Sequence, residues 1–208
     1  MQTADRLSGP VSTAPGVVTD VDVTHLENNA LIIRLHFTVN HLSRWITPVH
    51  DRVKLVRSVR RGDPSVKDLL IQMRNEELRV FPKLHLIATR NNPNLDKYPE
   101  WEMTPEQEQL DREASAIEIL AEFRRLRQST CSLLRSLPDN AWSRIGTSRR
   151  EHDWQLRTLA EHLARHDVMV LRQMDETLDR VGAREGVSPA ARAHLDELLR
   201  LVPVKLKQ

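Results

Sequence analysis

The chain has 208 residues, of which 39% are hydrophobic, 29% are charged and only 6 are glycine. This length and composition are typical of one helix-rich globular domain, with or without tails, and they exclude a disordered chain. A formal net charge of +2, with short arginine clusters dispersed among acidic residues, is too small to indicate nucleic acid binding. The single cysteine excludes an internal disulfide framework.

The sequence contains no recognisable membrane or targeting segment. No run of 18 apolar residues is present, and residues 1–16 lack the apolar middle of a secretory signal. We therefore expect a cytoplasmic protein that binds neither a membrane nor nucleic acid.

The first predicted helix follows a loose N-terminal arm. Residues 1–22 are rich in Ser, Thr, Pro, Gly and Val. Thr24 and Glu27 have the spacing of a capping box, so we expect helix one to open at Thr24. It should end near Trp45, because Pro48 disfavours helical backbone at the residue before it.

The second predicted helix opens at Asp63 or Ser65. Ser65 and Asp68 repeat the capping-box spacing, and apolar residues recur at helical intervals after them. Pro82 predicts a kink or a stop, after which the sequence KLHLIAT continues the helix for a turn or more.

The third and fourth predicted helices are separated from their neighbours by turn-rich segments. Residues 89–103 form a long link, after which Thr104, with Pro105 in the first turn, opens one long helix to about Leu137. The loop after it leads to helix four, which we place at about Asp153–Val181. A last helical segment begins at Ser188, and no convincing strand appears.

These elements predict an all-α protein. Its parts are a flexible arm at residues 1–22, a four-helix bundle at residues 23–182 and a C-terminal helical extension at residues 183–208.

Two histidines four residues apart on helix four are the most informative feature of the chain. They lie in LAEHLARHDVMVLRQM, where apolar residues form one stripe at about 100° per residue. By the same geometry His166 and Asp167 lie within roughly 60° of the centre of the stripe, whereas His162 lies at its boundary. Two imidazoles at this spacing suit zinc or nickel, although the spacing also arises by chance among 9 histidines.

The order of several segments resembles the DinB-like superfamily. These segments are PSVKDLLIQMRNEELRVFP, the leucine-rich helix end SLLRSLPDNAW and the helix TLAEHLARHDVMVLRQM. The superfamily comprises four-helix bundles that include thiol-dependent S-transferases and maleylpyruvate isomerases. The resemblance runs from about Leu26 to Val181 and implies an up-down-down-up bundle.

The resemblance also implies where a metal would bind. Members of the family commonly hold a divalent metal with three histidines, one on helix two and two that stand four apart on helix four. These positions fall on Gln72, His166 and Val170, so two of the three ligands are replaced. A valine cannot coordinate a metal and a glutamine is a weak neutral ligand. His162 lies one turn before the family pair, and we expect no bound metal or other cofactor.

Alternatives remain open for the polar residues around this position. In a metal-free cluster an acidic side chain on helix two, such as Glu76, would hydrogen-bond His166, with Gln72 as a bridge. A carboxylate beside His166 would raise the pKa of that imidazole. An unorthodox zinc or nickel site could instead draw on His166, His162 and Glu76, or on a set that includes Asp167. An error of register in the alignment is the third alternative.

Two functions are compatible with the sequence. The first is a bundle that has lost the family metal and acts as a small-molecule-binding or protein-interaction module, with the 89–103 link and the arm as contact surfaces. The second is a transferase or isomerase of the thiol S-transferase type, metal-dependent or metal-free, in which His166 is the base beside Asp167 and a low-molecular-weight thiol is a ligand. Trp142 either packs its loop on the bundle or stacks on a substrate. A two-fold homodimer is the expected oligomer, because closed dimers are the commonest assemblies.

Overall fold

The computed structural model describes residues 22–203 and 205 of the chain. In this part of the chain the long helices are α1 (Asn28–Ile46), α3 (Val66–Thr89), α5 (Ala116–Ser136) and α6 (Leu156–Arg180), and the short ones are α2 (Val53–Val56), α4 (Pro105–Glu113), α7 (Pro189–Arg192) and α8 (Leu195–Arg200). The 3-10 turns are Val23–His25, Leu95–Lys97 and Asp139–Ser143, and the strands are β1 (Ile145–Gly146) and β2 (Trp154–Gln155). The predicted arm, apart from Asp22, lies outside the described residues.

The start of α3 is as predicted, whereas the predicted start of α1 is wrong. Ser65 caps α3, because its hydroxyl accepts from the Asp68 amide at 3.2 Å while Asp68 accepts from the Ser65 amide at 2.9 Å. The backbone amide of Thr24 instead donates to Asp22 at 3.0 Å and starts a 3-10 turn. Glu27 stands before α1 without a side-chain capping bond, so the helix begins at Asn28.

The third predicted helix is two helices. The backbone extends at Ala114 and Ser115, and Ser115 forms a complete capping box with Glu118 at the start of α5. This capping box lies inside the repeat of apolar residues from which we predicted one continuous helix. In α3, by contrast, the helix passes through Pro82 and ends at Thr89, so the proline is no stop.

A small hairpin precedes α6, where we predicted no strand. Ile145 pairs with Gln155 and Gly146 pairs with Trp154 in antiparallel register. Strands of two residues are too short to show the alternation of polar and apolar residues that reveals strands in a sequence. The hairpin occupies the predicted start of helix four, which begins at Leu156 rather than Asp153.

Two apolar clusters establish the direction of each long helix. The first cluster takes the C-terminal halves of α1 and α6 and the N-terminal halves of α3 and α5, and the second cluster takes the opposite halves. Helices α1 and α6 therefore run one way and α3 and α5 the other, which confirms the up-down-down-up bundle. Helices α1 and α3 each pack against both α5 and α6.

The C-terminal segment closes one end of the bundle. Leu195, Leu198 and Leu199 of α8 join the first apolar cluster, and the Trp45 indole donates to the Ala193 carbonyl at 2.8 Å. Among residues 22–203 and 205, no helix combines the length and apolar character needed to cross a bilayer.

Candidate site between helices α3 and α6

A polar layer separates the two apolar clusters at the middle of the bundle. Buried polar side chains at this level come from all four long helices: Thr38 and His41 on α1, Arg74, Glu76 and Glu77 on α3, Arg127 and Thr130 on α5, and Asp167 on α6. Burying such groups is unfavourable unless they pair with one another. The layer divides into a dry ion cluster in the core and a partly open group at the α3–α6 face.

Glu76 and His162 form the centre of the open group. His162 Nε2 lies 2.6 Å from Glu76 Oε1, and Arg79 Nη1 lies 2.6 Å from Glu76 Oε2. The hydrogen bond from His162 lowers the pKa of Glu76, against an opposing effect of burial, and His166 and Arg79 lower it further. Glu76 is therefore an ionised acceptor, and a hydrogen bond to it requires the proton on His162 Nε2, which in a neutral imidazole makes Nδ1 the acceptor nitrogen.

Exposure distinguishes the two partners of this pair. The Glu76 side chain is 11% exposed, whereas that of His162 is 40% exposed. A buried carboxylate that fixes the tautomer of a solvent-accessible imidazole is an arrangement suited to acid–base chemistry or to hydrogen bonding with a ligand.

His166 lies one turn further along α6 and is half-buried. Its ring centroid is 6.5 Å from that of His162, and its Nδ1 is buried with no hydrogen-bond partner among the described residues. Burial lowers the pKa of His166, although Asp167 and Glu76 oppose this effect. Nearby carboxylates do raise the pKa of His166, as expected, but burial outweighs them and the net shift is downward. Glu76 hydrogen-bonds His162 rather than His166.

An aromatic row extends the group toward the hairpin. The ring centroids of His152 and Trp154 are 4.0 Å apart, and those of Trp154 and His162 are 6.1 Å apart. Lys83 Nζ lies 6.0 Å from the Trp154 ring, on the side of α3. Ring faces and edges at these distances attract one another and suit a flat or cationic ligand. We name the set Glu76, His162, His166 and Trp154 the α3–α6 cluster.

Asp167, predicted as a catalytic partner of His166, belongs to the dry ion cluster instead. Arg127 Nη2 donates to Asp167 Oδ1 at 2.9 Å and Arg127 Nε donates to Glu77 Oε2 at 3.0 Å. Thr38 donates to Asp167 Oδ2 at 2.8 Å, and Thr130 donates to Glu77. Burial by itself would lower the pKa of Arg127, but Asp167 and Glu77 raise it above its usual range. Asp167 therefore has a structural place in the buried ion cluster and is not beside His166 as a catalytic partner.

The other residues of the predicted cavity are dispersed. Gln72 is exposed and takes no part in the cluster, so the predicted bridge between it and His166 is absent from the structure described. Val170 is 1% exposed and packs in the first apolar cluster. Trp142 is buried in the second apolar cluster, where the Arg157 guanidinium lies 5.9 Å from its ring, so it packs its loop on the bundle.

Comparisons with known proteins agree with this fold. A family model of the DinB superfamily matches residues 37–174. The chain belongs to the DinB superfamily. A solved structure, described as "YfiT from Bacillus subtilis is a probable metal-dependent hydrolase with an unusual four-helix bundle topology", matches with a TM-score of 0.61 and 15% identity, covering 84% of this chain and 94% of that one. At this identity the likeness shows the fold alone. A search of curated protein sequences finds no match.

The metal that the DinB superfamily implies does not fit the side chains at its positions. Of the three positions, one carries an exposed glutamine, one a half-buried histidine and one a valine inside the core. Within residues 22–203 and 205, no group of three His, Cys, Asp or Glu side chains is arranged to hold a metal ion, and this includes the alternative set His162, His166 and Glu76. Glu76 and His162 form a hydrogen-bonded pair, which is not the set of three ligands that the family metal requires.

Sequence reasoning missed Trp154 and His152 as neighbours of His162. The hairpin brings them there, and its two-residue strands leave no pattern in the sequence. The only signal was the proximity of His152 and Trp154 in EHDWQ, immediately before a helix with two histidines.

Proposed function

We propose that this DinB-superfamily protein does not use the family's three-histidine metal and binds a small organic molecule at the α3–α6 cluster. The observation that carries the proposal is the Glu76–His162 pair at 2.6 Å, in which the imidazole is 40% exposed. His162 lies two turns before the family ligand position that Val170 occupies inside the apolar core. The proposed site thus adjoins one family ligand position, His166, and lacks histidines at the other two.

The α3–α6 cluster offers a small molecule two kinds of contact. Glu76 hydrogen-bonds His162 Nε2, so the other ring nitrogen, Nδ1, is offered to the ligand. Trp154 supplies an aromatic ring whose centroid lies 6.1 Å from that of His162. Small-molecule sites generally combine apolar or aromatic walls with a few oriented polar groups. A protein-interaction role would rest instead on a wider apolar face, for which the cluster supplies no support.

Ligand binding can be tested with a panel of small thiols and aromatic carboxylates, measured by calorimetry and by thermal shift. We expect at least one compound to bind the wild type and to bind His162→Ala about 10-fold more weakly or worse, since a hydrogen bond to a charged or polarised group contributes about 1.5–3 kcal/mol. His36→Ala, which removes an exposed histidine on α1, is the matched control. Binding that is equal in all three proteins would contradict the assignment of the site.

Metal content separates this proposal from a family-type enzyme. Purified untagged protein, dialysed against nickel, zinc or manganese, should hold much less than one equivalent. Near-stoichiometric metal that disappears in His166→Ala would overturn the metal-free proposal.

A second function, metal-free acid–base catalysis of the transferase or isomerase type, is favoured by the same pair. Glu76 holds the proton on His162 Nε2, which leaves Nδ1 able to take a proton from a bound substrate. In this alternative His162 is the base, in place of His166. Turnover lost in both His162→Ala and Glu76→Gln, with ligand binding retained in Glu76→Gln, would favour the enzyme over the binding protein.

A further inference from the structure

Helix α4 lies on the bundle with almost no apolar contact. Seven of its nine residues are exposed, and Asp111 is the residue it buries. Its one large apolar side chain, Leu110, is 59% exposed and points away from the core. Hydrophobic burial holds most amphipathic helices on their domains, and α4 lacks this contribution.

A polar clasp holds α4 in place instead. Arg74 of α3 is 1% exposed and donates from Nη1 and Nη2 to Asp111 Oδ1 and Oδ2, at 2.5 and 2.6 Å. Gln107 donates to Asp111 at 3.0 Å, and Lys67 Nζ donates to the Arg112 carbonyl at 3.0 Å. Fork-to-fork pairing of a guanidinium with a carboxylate is strong and orients both groups.

Arg74 keeps other partners if α4 leaves. Its Nη1 also lies 3.1 Å from Glu122 of α5, and its Nε and Nη2 donate to Asn75 at 3.1 and 2.7 Å. Removing Asp111 therefore does not leave a buried cation without a counter-charge, which is the costly outcome when most buried ion pairs are broken. The bundle side of the clasp is stable alone.

The chain after α4 lets this helix separate from the bundle without disturbing α5. Ala114 and Ser115 are extended, and α5 has its own capping box at Ser115, so α5 does not need α4 to start it. Surface grooves of about 480, 550 and 400 Å³ border α4, each lined in part by its residues. Little packed side-chain volume would have to be disrupted for α4 to separate from the bundle.

We propose that α4 is a strap that opens at the Arg74–Asp111 pair while the four long helices stay folded. A free helix of nine residues is marginal in water, so α4 unravels once the clasp is broken. Opening uncovers the α3–α5 groove, in which Leu78 and Leu126 lie beside Arg74. This groove is on the other flank of α3 from the α3–α6 cluster, so the inference does not depend on the proposed function.

Hydrogen exchange followed by mass spectrometry tests the strap in the full-length protein. We expect the amides of residues 105–113 to exchange at least about 100-fold faster than those in the middle of α5. Asp111→Asn should speed the exchange of residues 105–113 by a further 10- to 100-fold, the equivalent of losing one charged hydrogen-bonded contact. The thermal midpoint of the bundle should stay within about 2 °C of the wild type.

Glu113→Gln is the matched control, because it makes the same change of charge at an exposed position of the same helix. It should leave exchange in residues 105–113 within about 3-fold of the wild type. Two results would overturn the proposal: wild-type α4 protected as strongly as α5, or Asp111→Asn accelerating exchange in α4 and α5 together.

Discussion

Replacing Arg127 with methionine should be the most damaging single change in the core. Arg127, Glu77 and Asp167 are each at most 2% exposed, and the guanidinium is the only cation that faces the two carboxylates at hydrogen-bond distance among the contacts described. At about 3 Å and an effective dielectric of about 20, each contact corresponds to roughly 5 kcal/mol of Coulomb attraction. Most of this attraction offsets the cost of desolvating three charges.

The net loss follows from what Arg127→Met leaves behind. Two buried carboxylates without a cation make the change destabilising by about 3–5 kcal/mol at pH 7, which is a large part of the 5–15 kcal/mol that holds a typical domain together. Urea unfolding, followed by circular dichroism, measures this free energy. Arg124→Met, at an exposed position of the same helix, is the control and should change stability by no more than about 0.5 kcal/mol.

The deficit of Arg127→Met should shrink as the pH falls. Without the guanidinium, Glu77 and Asp167 carry buried charge with no counter-charge, which destabilises the fold at neutral pH and is removed when the carboxylates are protonated. The difference between Arg127→Met and Arg124→Met should therefore be smaller at pH 5 than at pH 7. A difference below about 1 kcal/mol at pH 7, or one that does not vary with pH, would refute this account of the ion cluster.

Three further predictions concern the polar layer. Burial, with smaller effects of Arg34 and Arg44, lowers the pKa of His41 to about 4 from 6.5. The neutral imidazole therefore contributes its full stabilisation of the fold above pH 6.5, and this contribution is lost as the pH falls toward 4. Urea unfolding should show that the wild type loses roughly 2–3 kcal/mol between pH 7 and 4.5, and that His41→Leu does not. Thr38→Val removes the 2.8 Å hydrogen bond to Asp167 and should cost about 1–3 kcal/mol by the same assay. Glu76→Gln removes the carboxylate that accepts from His162 Nε2 and should change the ring-nitrogen chemical shifts of His162 in NMR spectra, and unchanged shifts would argue against the pair.

Much of the bundle could be predicted because its signals are local. The capping box at Ser65 and the apolar periodicity of the long helices each depend on a short stretch of sequence. Both are present in the structure, as the cap of α3 and as the buried faces of the helices. The capping box at Ser115 and Glu118 is also a local signal, but we missed it because the apolar repeat keeps the same helical phase across the break between α4 and α5. The hairpin before α6 depends on tertiary contacts and left no pattern.

The candidate site was harder to predict because pairing between helices depends on register. The sequence places His166 and Asp167 toward the core, but only the packing of α3 on α6 decides that Glu76 meets His162 and that Asp167 meets Arg127. Arg127 did leave a signal: it lies four residues after Phe123 and four before Cys131, in phase with the buried stripe of α5. A charged residue in phase with a buried stripe calls for a counter-charge on a neighbouring helix, and Glu77 and Asp167 are in phase on theirs.

Introducing the family's three histidines should not create a metal site. In the double variant Gln72→His and Val170→His, the sequence would again match the three-histidine pattern together with His166. Val170 packs among the first apolar cluster at 1% exposure, so an imidazole there must overpack the core, at about 1–3 kcal/mol, and bury a polar ring, at a comparable cost. Position 72 meanwhile faces solvent.

We therefore expect the double variant to melt at a lower temperature than the wild type and to regain no stability with zinc or nickel. A ligand that bound the folded state at 100 times its Kd would return about 2.7 kcal/mol, so thermal shift at millimolar metal is a sensitive readout. Gln72→His alone is the control, because it adds an imidazole without disturbing the core. Recovery of the melting temperature with one bound metal would mean that α6 can turn residue 170 out of the core, and that two substitutions alone separate this chain from the three-histidine pattern.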